Sequence, residues 1–319
     1  MDGEENKKGT GYTLLYAMAY LHALLPFRIL YIISDILYLI IYYLVRYRRR
    51  LVRKNLRNAF PEMPEKSIVK IEKKFYRHLC DYFMETVKTL HLTDGEARRR
   101  MRFENPEVIN RLTAGGKSCI LSLGHYGNWE WVPAVVTHFI PGVEQGFIYK
   151  KLHSAAFDRL FLKMRTRFGS CPIEMHGAFR QMIRFRDGGK TLVAGFLSDQ
   201  RPSPRQECYW TLFMNRLTPV QTGMEKIARY LGTSVVYLDM RKVKRGYYTG
   251  KFSVITPDAG GTPEFAITER YVRKLEETVM REPSCYLWSH DRWKFAKPGQ
   301  GNSAKSARRA GMAPGAGIQ

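Results

Sequence analysis

Residues 118–130 read Ser-Cys-Ile-Leu-Ser-Leu-Gly-His-Tyr-Gly-Asn-Trp-Glu: an apolar run stops at a glycine, crosses a histidine and a second glycine, and takes up a helical pattern. A short apolar run bounded by turn residues is the signature of a strand buried on both faces. Strand followed by helix then recurs. The patterning predicts a helix over 128–139, a strand over 146–149, helices over 154–168 and 178–187, and a strand over 191–197. Thr222 and Glu225 have the spacing of a capping box, opening a helix that Gly232 closes. Strands over 234–240 and 247–255 are close enough to pair as a hairpin, and a last helix covers 267–281. Upstream, Ile68, Ile71, Phe75, Leu79, Phe83, Val87 and Leu90 recur at helical steps from Pro64 onward, and a short helix between Pro106 and Gly115 precedes the quoted strand. Strands separated by helices argue for an α/β fold with a single mixed sheet flanked by helices on both faces.

The N-terminal part differs. Residues 12–45 are nearly all apolar or aromatic, interrupted by Pro26 and Arg28, and only Ser34 and Asp35 break the stretch 29–45. A bilayer needs about 20 such residues, yet Asp35 near the middle costs roughly 2.5 to 3.5 kcal/mol in lipid. A clean span, a tilted or hairpin helix and an interfacial helix all remain open, so the segment is read as a membrane-anchoring helical segment. It lacks the small-residue cleavage site of a signal peptide. The run RYRRRLVRKNLR over 46–57 comes next, with seven basic residues and no acid. The positive-inside rule places the rest of the chain in the cytoplasm, and each cation near an anionic leaflet adds on the order of 1 kcal/mol. The chain divides into a polar leader (1–11), an anchoring segment with its basic cluster (12–58), an α/β domain (59–296) and a Gly/Ala/Ser-rich tail expected to be disordered (297–319).

Lys and Arg number 52 against 29 Asp and Glu, a net charge of +23, which suits partners rich in negative charge: nucleic acid, anionic membrane or a phosphorylated substrate. A mean hydropathy of −0.34 with one extended apolar region excludes a multi-spanning channel or transporter. Five scattered cysteines, without a C-x-x-C pair, indicate neither a metal site nor a disulfide framework. No cofactor is expected.

Residues 124–130 lie between a predicted strand and a predicted helix, where functional groups gather in α/β folds. His125 and Glu130 could meet across a turning loop as a general base and its charge-stabilising partner. Spacing alone is weak evidence, because eight histidines and 29 acids give roughly 0.7 chance matches to H-x4-[DE]. Three occur: His91/Glu96, His125/Glu130 and His153/Asp158. The middle one comes directly after a strand and contains Gly127, whose missing side chain would let a substrate approach the backbone.

The run from His125 to Glu130, as H-x-G-N-W-E, resembles the lipid A late acyltransferases (lauroyl and myristoyl transferases) and the related phosphatidylinositol mannoside acyltransferases of the lysophospholipid acyltransferase superfamily. The likeness extends to residues 49–62, to Asp199-Gln200 after a strand, to residues 212–229 and to CYLWSHDRWK over 285–294, and covers about residues 12–298. It implies acyl transfer from acyl carrier protein or acyl-CoA to a hydroxyl of a lipid A precursor at the cytoplasmic face of the inner membrane, in lipopolysaccharide synthesis. His125 would be the general base and Glu130 its partner. Arg165, Asn128, Asp199, Gln200 and Lys150 would contact substrate; where many lipid A enzymes have Tyr-Arg-Pro, this chain has Tyr149-Lys150-Lys151, keeping the charge but losing the bidentate fork. Anionic inner-membrane lipids and a glycolipid or lysolipid acceptor are the expected partners. The rival readings are an acyltransferase for a lysophospholipid, aminolipid or mannosylated lipid, and a membrane-tethered nucleic-acid binder. No binding motif supports the latter, so no nucleic-acid partner is expected.

Overall fold

The structure, a computed structural model, describes residues 2–204 and 206–294; the tail expected over 297–319 lies outside them. Two central strands govern the rest. β2 (Cys119–Leu123) is buried throughout and β5 (Thr191–Leu197) nearly so, as strands covered on both faces must be. Around them, among the described residues, runs a seven-stranded sheet in the order β1-β9-β8-β2-β5-β3-β4. Its other strands are β1 (Met101–Phe103), β3 (Val143–Tyr149), β4 (Cys171–Glu174), β8 (Ser234–Lys244) and β9 (Tyr247–Thr256). All neighbours are parallel except the β8–β9 hairpin, so the sheet is mixed and flanked by helices, as the patterning predicts. A separate antiparallel hairpin, β6 (Cys208–Phe213) and β7 (Arg216–Gln221), was not legible in the sequence.

The helices are α1 (Asp2–Leu24), α2 (Phe27–Leu39), α3 (Arg49–Ala59), α4 (Glu65–Lys88), α5 (Asp94–Arg100), α6 (Glu107–Thr113), α7 (Ala155–Arg165), α8 (Ala178–Asp187), α9 (Gly223–Leu231) and α10 (Ala266–Arg281). Two local expectations fail for physical reasons. The helix expected over 128–139 is wound as a tighter 3-10 segment (Trp129–His138), because Pro133 inside it lacks an N–H and clashes with the preceding turn. The Thr222/Glu225 capping box does not form: the Glu225 carboxylate turns to the N–H of Thr268, at 2.8 Å, and to its hydroxyl, at the start of α10. Gly232 does close α9 in a left-handed conformation, φ 61°.

Phe27–Val45 is long and apolar enough to cross a membrane. Helix α2 lies along the body: Leu30, Ser34 and Tyr38, four residues apart, are buried, and Tyr42 continues their stripe in the π-wound Ile40–Val45. α2 packs on α4, and α1, which absorbs the polar leader into its first turns, packs on α4 and α7. The opposite face exposes Ile29, Ile32, Ile36, Leu39, Leu44 and Val45. Asp35 sits against Arg245, in the β8–β9 turn, at 2.7 and 3.0 Å, and Ser34 donates to Asp81 at 2.7 Å. The charge that argued against this helix meeting lipid is thus paired with the body. The Lys88 ammonium holds the carbonyls of Ala23 and Leu25 where α1 ends. Beyond Val45, Arg46 and Arg48 take left-handed backbone conformations, φ 54° and 49°, which cost a side-chain-bearing residue about 1 to 2 kcal/mol each.

Candidate active site

In the parallel pair β2–β5, Leu123 is in register with Leu197. Both strands therefore end at the same edge, and the second residue beyond each, His125 and Asp199, emerge side by side. The His125 Nδ1 lies 2.6 Å from Asp199 Oδ1, and the His125 backbone N–H donates to the other oxygen at 3.0 Å. Asp199 is almost completely buried and His125 mostly so. Burial pushes the Asp199 carboxyl up, but the adjacent imidazole and these hydrogen bonds outweigh it and hold the group below the usual carboxylate range. An ionised Asp199 accepts from Nδ1–H, leaving Nε2 with its lone pair outward. There the Gln200 amide donates at 3.2 Å.

Glu130, expected as the partner of His125, makes its hydrogen bonds elsewhere. Glu130 is buried and carries a two-pronged ion pair with Arg165, 2.8 Å from Nε and 2.6 Å from Nη2, with the Tyr82 hydroxyl donating at 3.3 Å. Both carboxylates flank the same loop: Trp129 stands edge-on to the imidazole at 5.1 Å and stacks on Tyr82 at 4.2 Å. The contacts that link Glu130 to His125 run through Tyr82 and Trp129.

The loop is held from beneath by α4. Asn128, expected to contact substrate, is fully buried and donates to Glu85 at 2.8 Å, which makes it an anchor of the loop. Glu85 also accepts from the hydroxyls of Tyr248 and Tyr31, and burial raises its carboxyl above the usual range. His78 donates from Nε2 to the Gly127 carbonyl, while Lys242 donates to its Nδ1; burial and that ammonium push the imidazole well below its usual range, keeping it neutral. Gly127 itself has φ 62°, and a Cβ there would touch Met240 and Tyr248 at 3.4 Å. The glycine serves the turn and faces packed side chains, rather than opening the backbone to substrate. From above, the closing segment clamps the loop through Gly127 N–H to Cys285 O, at 3.0 Å, and Leu287 N–H to His125 O, at 3.1 Å. His290 accepts the Arg201 N–H at 3.2 Å, and burial lowers its pKa to about 4, so it stands as a neutral acceptor beside the site.

Lys150 is exposed just past β3, at the same sheet edge. The other two H-x4-[DE] pairs stay apart: His91 packs edge-on against Tyr20, and Asp158 accepts the Leu152 N–H. Among the described residues no group of three or more His, Cys, Asp or Glu is placed to hold a metal ion. Chemically, the arrangement is an oriented imidazole base with a lone pair facing a polar amide, beside a neutralised arginine–glutamate pair.

Residues 7–295 match the model of the bacterial lipid A biosynthesis acyltransferase family. The chain is 23% identical to the lipid A biosynthesis lauroyltransferase of Escherichia coli (strain K12) over 278 residues, covering 86% of this chain and 88% of that one. Over the same shares it is 21% identical to the lipid A biosynthesis palmitoleoyltransferase of that strain and to a lipid A biosynthesis acyltransferase of Shigella flexneri.

Proposed function

Given that the chain belongs to the bacterial lipid A biosynthesis acyltransferase family, we propose that it transfers a fatty acyl group from the thioester of acyl carrier protein or acyl-CoA to a hydroxyl of a lipid A precursor, with His125 as general base. The observation that carries this reading is the His125 imidazole fixed on Asp199 with Nε2 turned outward. The acceptor hydroxyl displaces the Gln200 amide and gives its proton to Nε2 as its oxygen attacks the thioester carbonyl. The C–S bond breaks, and the imidazolium returns the proton to the leaving thiolate. No acyl-enzyme is needed, because a thioester is already activated.

Asp199 holds the tautomer and offsets the imidazolium charge, the part first given to Glu130. Glu130 positions Arg165, which spends Nε and Nη2 on it and has Nη1 left to steady the carbonyl oxygen as it gains charge. Lys150, at the same edge, meets an anionic part of donor or acceptor. Phe27–Val45 and the basic cluster after it support attachment to the inner membrane from the cytoplasmic side. The test is acyl transfer by purified His125→Ala: turnover should fall roughly 10²-fold or more with the fold intact. A folded His125→Ala protein with near-normal turnover refutes the assignment, as would a larger loss in His91→Ala or His153→Ala.

A further inference from the structure

Beside the end of the apolar face lies an open cavity of about 610 Å³ lined by Arg46, Arg48, Arg49, Arg50 and Arg53. Five guanidiniums face one carboxylate: Glu72, fully buried, takes Arg49 and Arg53. Among the described residues no carboxylate pairs with Arg46, Arg48 or Arg50, and all three are exposed. Their placement is electrostatically unfavourable as it stands. Arg48 caps α3 and Arg49 and Arg50 open it, at the positive end of the helix dipole, with no acid in the first turn.

We propose that this cavity binds the phosphate monoester of a membrane-lipid head group. Three arginine forks without a carboxylate partner match a doubly charged group with three free oxygens better than a singly charged diester. A recess encloses a head group, whereas an acidic protein helix would need a protruding or flat basic face. It adjoins Leu44 and Val45, the last exposed apolar residues of the anchoring segment, at the level where head groups meet a helix lying in a bilayer surface. Its wall continues to the catalytic loop. Arg48 donates to Ser289 O at 2.9 Å, Asn55 donates to Trp288 O and His290 O, and Leu287 in the same segment holds His125 O. On the acyl-transfer reading, and resting on it, the bound head group is the acceptor's own.

The test needs no acyl transfer, so its failure leaves that reading untouched. Full-length protein is sedimented with phosphatidylcholine vesicles containing phosphatidic acid or phosphatidylglycerol at matched surface potential. The wild type should bind the phosphatidic acid vesicles roughly tenfold more tightly. Arg46→Gln/Arg50→Gln should lose that preference yet still bind phosphatidylglycerol vesicles, while Lys66→Gln/Lys70→Gln, an equal charge change on exposed α4 positions, should keep it. Equal binding to both vesicles by the wild type, or a preference that survives in Arg46→Gln/Arg50→Gln, overturns the proposal. So does saturable calorimetric binding of inorganic phosphate without the vesicle preference, which marks a soluble ligand. Loss of acyl carrier protein binding in that variant with the vesicle preference intact assigns the cavity to the donor instead and equally overturns it.

Discussion

Replacing Asp199 by asparagine separates orientation from charge. In the wild type one carboxylate oxygen accepts the His125 backbone N–H at 3.0 Å and the other lies 2.6 Å from Nδ1. The substituted amide has one oxygen and one NH₂. Its oxygen must stay on the backbone N–H, since two donors cannot face each other, and the NH₂ is then left against Nδ1. That nitrogen becomes the acceptor and the ring proton moves to Nε2, where the base should be. The loop keeps its shape while the lone pair proposed to take the acceptor proton is lost. General-base assistance contributes roughly 10² to 10⁴-fold, so kcat should fall by that factor, equivalent to about 3 to 5 kcal/mol of barrier, with KM for the thioester nearly unchanged. Combined with His125→Ala, the Asp199→Asn change should add almost nothing. The assay is steady-state transfer from a radiolabelled acyl thioester, with thermal unfolding as the folding control. A well-folded Asp199→Asn protein within a few-fold of wild type, or one whose defect multiplies with that of His125→Ala, refutes the orientation argument.

Glu130→Gln keeps shape but strips Arg165 of its counter-charge; turnover should drop roughly tenfold to a hundredfold, while the pH–rate profile stays in place because Glu130 does not touch the imidazole. A displaced profile would return Glu130 to direct contact with His125. Glu85→Gln keeps an acceptor for its neighbours and should cost less stability than Glu85→Ala, which leaves the Asn128 amide and two tyrosine hydroxyls short of a partner and should cost about 3 kcal/mol by chemical denaturation; equal losses would contradict the role of these hydrogen bonds. His290 has a depressed folded pKa of about 4, so the unfolded chain binds its proton first: the stabilisation is whole above pH 6.5 and drains away as pH falls toward 4. His290→Gln, which still offers Arg201 an acceptor, should therefore lose less Tm between pH 6.5 and 4 than the wild type, and an identical acid limb would contradict the buried neutral imidazole.

The sheet was legible because its central strands are apolar runs with clear ends, and residues 118–123 and 191–197 fall within a residue of the observed bounds. The β6–β7 hairpin was not, because its turn is Met214-Asn215, with φ 51° and 61°, where a hairpin of this type usually announces itself by glycine. The apolar stripe expected along α4 holds through Leu79 and then fails: Phe83 is exposed, and the buried face passes to Asp81, Glu85, Thr86 and Thr89. Periodicity tracks hydrophobic burial, and here buried polar residues take over, Glu85 and Thr89 bonding Asn128 and Trp131 and Asp81 bonding Arg245 in the β8–β9 turn. His125 was singled out by its strand–loop setting. Its contact with Asp199 was not legible because H-x4-E is a relation along the chain, whereas this contact arises across the sheet. The equal offset of His125 from Leu123 and of Asp199 from Leu197 was present in the sequence, but only knowledge that β2 and β5 are neighbours gives it meaning.

Asp35 on Arg245, and Lys88 on the carbonyls of Ala23 and Leu25, fasten the apolar helices to the body near the middle of the exposed face and just before its start. Such a mounting couples the orientation of the apolar helices to that of the sheet. Whatever surface receives Ile29, Ile32 and Ile36 also sets the tilt of the sheet and the height of the Nε2 of His125 above that surface. An enzyme on a slack tether reaches substrates at many depths; helices fastened to the body narrow that range. On the proposed mechanism, a substrate hydroxyl lying deeper must be lifted to the imidazole by the lipid that carries it, and mutations that lengthen the loop at Leu25-Pro26 should alter which hydroxyl is acylated before they alter how fast.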